Sequence, residues 1–432
     1  MSNVEQMDES LFASFSSEKE EPFLLSNTSE RDPPMNQAFS NIRILDFTRV
    51  LAGPFASFQL ALQGADVIKI EHPDGEDTRN IARSREWAER KMAPIWMSVN
   101  GNKRSLTLDL QKPEAIAVIH RLVRDADMVV ENFRPGVMER LGIGWPQLSR
   151  INPKLIYTAI SGFGQKGPES RTPSYDGMIQ AMSGLMSMTG TPESGPTRAG
   201  FAAADMITGL SAAYAMSTAL YQRTHTNRGQ FVDVAMLDAV LNLLAQQIAE
   251  YTTTGDVAGR VGNLSPSRKP TADLFQGRDG FILLAVLTEK QYRILFTTLN
   301  RPDIFEDPRF ADWFLRNENG PALKAEIEKA LQTDSAANWE ARLKAADIPC
   351  ARVWGIDEIT THPQLAHRSI LQKVDSEFGP LTLAGPAFRM AEGEGGITRP
   401  PPRVGQHSEE ILRAAGYSSE EINALRAAGA TK

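Results

Sequence analysis

The sequence predicts an α/β fold built on a mainly parallel sheet, and three observations carry that prediction. From Ile42 onward, short β-branched runs alternate with stretches of helical apolar spacing, which is the pattern of βαβ units. At 432 residues the chain is longer than one core usually organises, so it asks for two or three domain-sized units. A composition of 41% hydrophobic and 23% charged residues is that of a globular protein rather than a disordered, collagen-like or membrane chain.

Residues 1–40 read as a disordered acidic leader. They hold eight acidic against two basic side chains, a net charge of −6, in a Ser-, Glu- and Pro-rich stretch without a sustained apolar period. Acidic residues also stand where a secretory or mitochondrial signal needs basic ones. Strands are then expected at 42–47, 66–70, 105–108, 128–130 and 155–160. Between the third and fourth, Pro113 suits a helix start, and Ile116, Ile119 and Val123 recur at helical spacing up to Arg124. A long helix is expected over 202–223; it is uncharged between Met206 and Tyr221 but too short and polar to span a bilayer. A turn at Asn227, Arg228 and Gly229 leads to a strand at 231–234 and a helix from Met236 towards Tyr251. Residues 252–272 lack periodicity, and Asp279-Gly280 introduces the apolar run 281–286, so a smaller domain is placed here. Two short helices close the chain, the second opened by a Ser418/Glu421 capping-box pattern.

Several function classes are excluded on residue types. The net charge of −7 argues against a general nucleic-acid binder. One cysteine, Cys350, rules out an internal disulfide or a cysteine metal cluster and suits a reducing, cytoplasmic setting. There is no GxxxxGK[ST] loop, no GxGxxG fingerprint and no GxSxG elbow. The six histidines are scattered; His362 and His367 stand five apart, off the spacing that places two metal ligands on one helix face, so no metal site is expected.

Carboxylates in unusual surroundings remain. Asp176 follows Ser174 and Tyr175 and precedes a largely apolar stretch in which Gln180, Ser183 and Ser187 are the polar relief. Glu193 sits in Gly190-Thr191-Pro192-Glu193-Ser194-Gly195-Pro196, a loop that glycine and proline can hold open. Asp205 begins the uncharged helix. There a carboxylate gains about 0.3–1 kcal/mol from the helix dipole, so a capping role competes with a chemical one for both Asp205 and Asp176.

Five blocks occurring in order carry a resemblance. They are Asp46-Phe47-Thr48-Arg49-Val50-Leu51-Ala52-Gly53-Pro54, Gly64 to Glu71, Asn102-Lys103-Arg104-Ser105, Glu131 to Gly136 and Thr226 to Gln230. Together they resemble the class III CoA-transferase family (CaiB/BaiF type), which includes formyl-CoA transferase and carnitine CoA-transferase and is related to the α-methylacyl-CoA racemases. The resemblance runs from about residue 41 to the C-terminus. It implies a Rossmann-like large domain from 41–225 and 327–432, a small α+β domain with its linkers over 226–326, and a ring-shaped subunit interlocked with its copy in a homodimer.

The resemblance further implies CoA thioesters and carboxylic acids as substrates, with no permanently bound cofactor and no nucleic-acid or membrane partner. CoA contacts fall on Arg49, Val50, Leu51, Ala52, His72, Leu108, Asn132, Phe133, Arg140 and Leu141, after the first four strands. Leu51 stands where formyl-CoA transferase has glutamine, which counts against formyl or oxalyl specificity, and Ser161 replaces a lysine. The implied reaction moves CoA from a donor such as succinyl-CoA to an acceptor acid through a covalent carboxylate intermediate. The aligned nucleophile is Glu193 in place of the family aspartate, with Asp176 and Asp205 as further catalytic carboxylates. Arg268 and Lys269 suggest a dicarboxylic partner. The alternative is α-proton exchange, as in the racemases. Their aspartate aligns with Asp205 but their histidine falls on Tyr175, and tyrosine is a poor base near neutral pH.

Overall fold

A computed structural model describes residues 37–432. Six strands form one parallel sheet: β1 (Arg43–Asp46), β2 (Asp66–Glu71), β3 (Arg104–Thr107), β4 (Met128–Glu131), β5 (Ile156–Ser161) and β6 (Gln230–Ala235). Their order is β3-β2-β1-β4-β5-β6. The strands are apolar on both faces because both faces are covered. Ile44, Val67, Met128 and Val130 point into one buried cluster; the alternate residues Leu45, Ile68 and Val129 point into another.

Helix α1 (Ala52–Ala61) follows β1, and α2 (Pro113–Leu122) lies between β3 and β4. Pro113 occupies the first turn of α2, and Ala115, Val118, Ile119 and Leu122 are its buried stripe. The two C-terminal helices, Ser408–Ala414 and Ser419–Ala427, put Ile411, Leu412, Ile422 and Leu425 into the same cluster as α2. The expected box at Ser418 is present: its hydroxyl accepts from Glu421 N, and Glu421 accepts from Ser418 N. On the opposite face α3 (Asp176–Met182), the long α4 (Ala203–Thr226) and α5 (Met236–Leu243) pack together and on the sheet. Gly209 lets α4 approach α1, since a Cβ there would stand 2.7 Å from the Ala52 carbonyl oxygen.

A second core spans β7 (Leu274–Gln276), β8 (Phe281–Leu284), β9 (Cys350–Arg352) and the helices between β8 and β9. This differs from a small domain bounded at 226–326. β6 completes the large sheet by pairing with β5, and Trp339, Leu343 and Ile348 complete the second core beyond residue 326. The expected leader lies outside the described residues except for 37–40. Those form a turn in which Phe39 packs on the sheet-side cluster and its amide bonds the Gln63 carbonyl at 2.9 Å.

Candidate active site

The strand order reverses between β1 and β4, so the chain leaves these neighbours in opposite directions and a crevice opens at their carboxyl ends. Two residues brace it. Asn132, after β4, accepts from Arg49 N and donates to Arg49 O, both at 2.8 Å, and so ties the β1 turn to the β4 turn. The Arg49 guanidinium lies 5.1 Å from the Phe133 ring centre.

Two cavities flank this brace and share Arg49 and Phe133. The larger, of about 360 Å³, is lined by Val50, Ala52, Asn132, Arg134, Ser161, Arg171, Tyr175 and Asp205 among others. The smaller, of about 240 Å³, is lined by His72, Leu108, Val137 and Leu141 among others. Eight of the ten residues expected against CoA therefore line one wall or the other. Leu51 and Arg140 line neither.

Asp205 is the one carboxylate among the residues lining the larger cavity. It stands in the first turn of α4 and is 9% exposed. Burial, and then the neighbouring Asp176 carboxylate, push its pKa up to about 7. Asp176 approaches from α3 to cap α4: its Oδ1 accepts from Ala204 N at 2.8 Å and from Asp205 N at 3.3 Å. Its Oδ2 accepts from Gln180 Nε2 at 2.7 Å, and Gln180 Oε1 accepts from Ala199 N at 3.0 Å. The fully buried Gln180 thus holds both the capping carboxylate and the segment entering α4. The sequence marks Gln180 only as polar relief and gives it no role, although its i+4 spacing from Asp176 in an apolar helix was a usable signal.

Glu193 is elsewhere. Its side chain is exposed, it is not among the residues lining the cavity, and a bond from Thr191 holds it below the usual carboxylate range. Its loop is shaped by local bonds, Thr191 N to Ser194 Oγ at 2.9 Å and Thr197 N to Thr189 O at 2.9 Å. Arg268 and Lys269 are not brought to the cavity either; the Lys269 ammonium sits 4.2 Å from the Trp313 ring centre and bonds the Leu287 carbonyl. A residue that sequence reading missed is Glu131 at the end of β4. Burial pushes it up to about 8, and its carboxyl accepts from Phe133 N at 2.8 Å, supporting the turn that carries Asn132 and Phe133.

The model of CoA-transferase family III matches residues 39–408. The chain belongs to that family. A succinate–glutarate CoA-transferase of Agrobacterium fabrum is 35% identical over 406 residues, covering 90% of this chain and 97% of that protein. A succinyl-CoA–D-citramalate CoA-transferase of Chloroflexus aurantiacus is 33% identical, covering 92% and 99%. Among solved structures, a CAIB/BAIF family protein from Brucella suis superposes with a TM-score of 0.81 at 32% identity, covering 88% of this chain and all of that one. This class III CoA-transferase acts on CoA thioesters. Among its described residues no helix is long and apolar enough to cross a membrane, and no group of three or more His, Cys, Asp or Glu is placed to hold a metal.

Proposed function

We propose that the enzyme transfers CoA from succinyl-CoA, or a similar short acyl-CoA, to a dicarboxylic acid, and that Asp205 is the carboxylate that reacts. The observation that carries this is a buried carboxylate, raised to about 7, at the wall of the crevice where β1 and β4 diverge. Once ionised, such a carboxylate is more basic and less hydrated than one in water, and so a stronger nucleophile.

The steps balance as follows. An Asp205 oxygen attacks the thioester carbonyl carbon; the C–S bond breaks and CoA leaves as the thiolate, giving a mixed anhydride. The thiolate attacks the Asp205 carbonyl carbon and expels the donor acid, leaving CoA on Asp205 as a thioester. The acceptor carboxylate then attacks that thioester, and the released thiolate takes the acceptor acyl group from the second anhydride, regenerating Asp205. CoA would run from the smaller cavity past Arg49 and Phe133 into the larger one, with cations near its phosphates and apolar side chains near its base.

The dicarboxylic acceptor is supported by two guanidiniums, Arg134 and Arg171. Of the two cavities, both line the larger and not the smaller, and neither has an acidic partner among the described residues. The named relatives act on dicarboxylic acids, which agrees with this and does not favour racemisation. A homodimer is supported by the exposed apolar side chains Met178, Met182, Leu210, Tyr214 and Leu243 on α3, α4 and α5. The reading is tested by incubating the enzyme with succinyl-CoA, trapping with hydroxylamine and mapping the modified peptide. Modification at Asp205 supports it; modification elsewhere, or none, removes it.

A further inference from the structure

Behind the wall of the larger cavity lies a cluster of charges that the reaction does not use. Asp46, Lys69, Glu76 and Lys103 are all buried at the carboxyl ends of β1 and β2 and the approach to β3, paired as Lys103–Asp46 at 3.0 Å and Lys69–Glu76 at 3.1 Å. Buried ion pairs seldom stabilise a fold better than apolar side chains of equal volume, so such a cluster asks for another reason. Several of its remaining bonds supply one, because they hold the turn after β1 and the first turns of α1. Lys69 Nζ donates to Thr48 O, and Lys103 Nζ donates to Pro54 O at 2.9 Å. Asp46 Oδ1 accepts from Thr48 N at 2.8 Å and Thr48 Oγ1 at 2.5 Å, while its Oδ2 accepts from Ser57 Oγ at 2.6 Å.

The turn held in this way contains Val50 at φ 67°, a left-handed conformation that a β-branched side chain rarely adopts. A strained residue persists only where its surroundings over-determine it, and such residues gather where a site is pre-shaped. Val50 lines the larger cavity, beside Arg49 and Ala52.

We infer that the Asp46–Lys103–Lys69 cluster is a positioning device: it fixes the strained Val50 turn in the shape that receives the CoA thioester. The side chains do not touch substrate; they act through the backbone of residues 48–54. The inference rests on the CoA-thioester reading of the cavity described above. It explains why the charges bond main-chain atoms of one turn rather than one another alone, and why valine rather than glycine is tolerated at a left-handed position.

The test pairs a core variant with a turn variant. Asp46→Leu/Lys103→Met removes both partners together, so neither charge is left buried alone, and Val50→Gly removes the strain without touching the core. CoA affinity is measured by calorimetry, and KM is measured separately for succinyl-CoA and for the acceptor. The double variant should weaken CoA binding and raise KM for succinyl-CoA by about tenfold or more, while kcat at saturation and KM for the acceptor stay within about threefold. Val50→Gly should weaken CoA binding in the same sense. In the triple variant the two losses should not multiply, because they act on one turn. A double variant of reduced thermal stability but unchanged CoA affinity would overturn the inference, as would independent, multiplying losses. If the double variant does not fold, Val50→Gly decides alone, and unchanged CoA affinity in it overturns the inference. A parent enzyme that bound no CoA would remove the underlying reading instead.

Discussion

Asp205 and Glu193 carry the same functional group, both near the entry to one helix, in opposite surroundings. Asp205 lies in a wall of packed helices; its amide is capped by a second carboxylate, its side chain borders a cavity, and burial raises its proton affinity. Glu193 stands in water on a loop that satisfies its own hydrogen bonds, and its proton affinity falls. A hydrated carboxylate must shed bound water on approaching a thioester, whereas a desolvated one has already lost it. On the proposed reading, the loop's sequence advertises chemistry that its exposure does not favour, while the helix carries it behind a plausible cap.

The largest expected effect breaks or secures this contrast directly. Asp205→Asn should lower CoA transfer by at least about 10³-fold, because Asp205 is the one carboxylate among the described residues lining the larger cavity and an amide cannot form the anhydride. Glu193→Gln should leave transfer within about twofold. Rates measured by CoA exchange between succinyl-CoA and a dicarboxylic acid decide the matter; the reverse ranking restores Glu193 as nucleophile.

A smaller effect asks where the acceptor sits. If it reacts beside Asp205, its second carboxylate meets Arg171 across the same cavity. Arg171→Met should then lower kcat/KM for dicarboxylic acceptors by about 10- to 100-fold, the worth of one charge-assisted pair. Monocarboxylic acceptors should change by less than about threefold. Equal losses for both acceptor classes would place Arg171 against CoA instead.

Smaller again is a displacement along the pH axis. The attacking group must be ionised, so acylation in a single turnover should fall as pH drops below about 7, where Asp205 takes up its proton. Asp176→Asn removes the neighbouring negative charge, which should move that limb to lower pH by roughly one unit. Reaction at Glu193 would show no limb near 7, since that group is held below the usual carboxylate range.

Much of the frame was legible in the chain because it depends on local periodicity. Strands expected at 42–47 and 155–160 are β1 at Arg43–Asp46 and β5 at Ile156–Ser161, and Pro113 does start α2. The small core was harder, since its closing residues Trp339 and Leu343 lie on a helix that packs both on the adjacent β9 and on β8, more than fifty residues earlier in the chain. The roles of the three candidate carboxylates could not be ranked along the chain. What separates them is burial and a bond between Asp176 and the amide of Asp205, 29 residues apart, and only folding brings these together.

The finest distinction between the two carboxylates is in stability, where their signs are opposite. Asp205 has a native pKa near 7 against about 3.9 in an unfolded chain, so between roughly pH 4 and 7 the native state binds more protons. Stability should therefore fall as pH rises through that window, and Asp205→Asn should remove the fall. The variant should match its parent near pH 4 and melt above it at pH 8, by at most about 4 kcal/mol of added stability. Losing activity while gaining stability is the signature of a group held strained for function. Glu193 behaves the other way: its lowered pKa contributes only above the unfolded value and is lost as pH falls, so Glu193→Gln should gain nothing at pH 8. Thermal melts of both variants at pH 4, 6 and 8 read the two signs side by side, and parallel curves for the two would mean that Asp205 is solvated like Glu193.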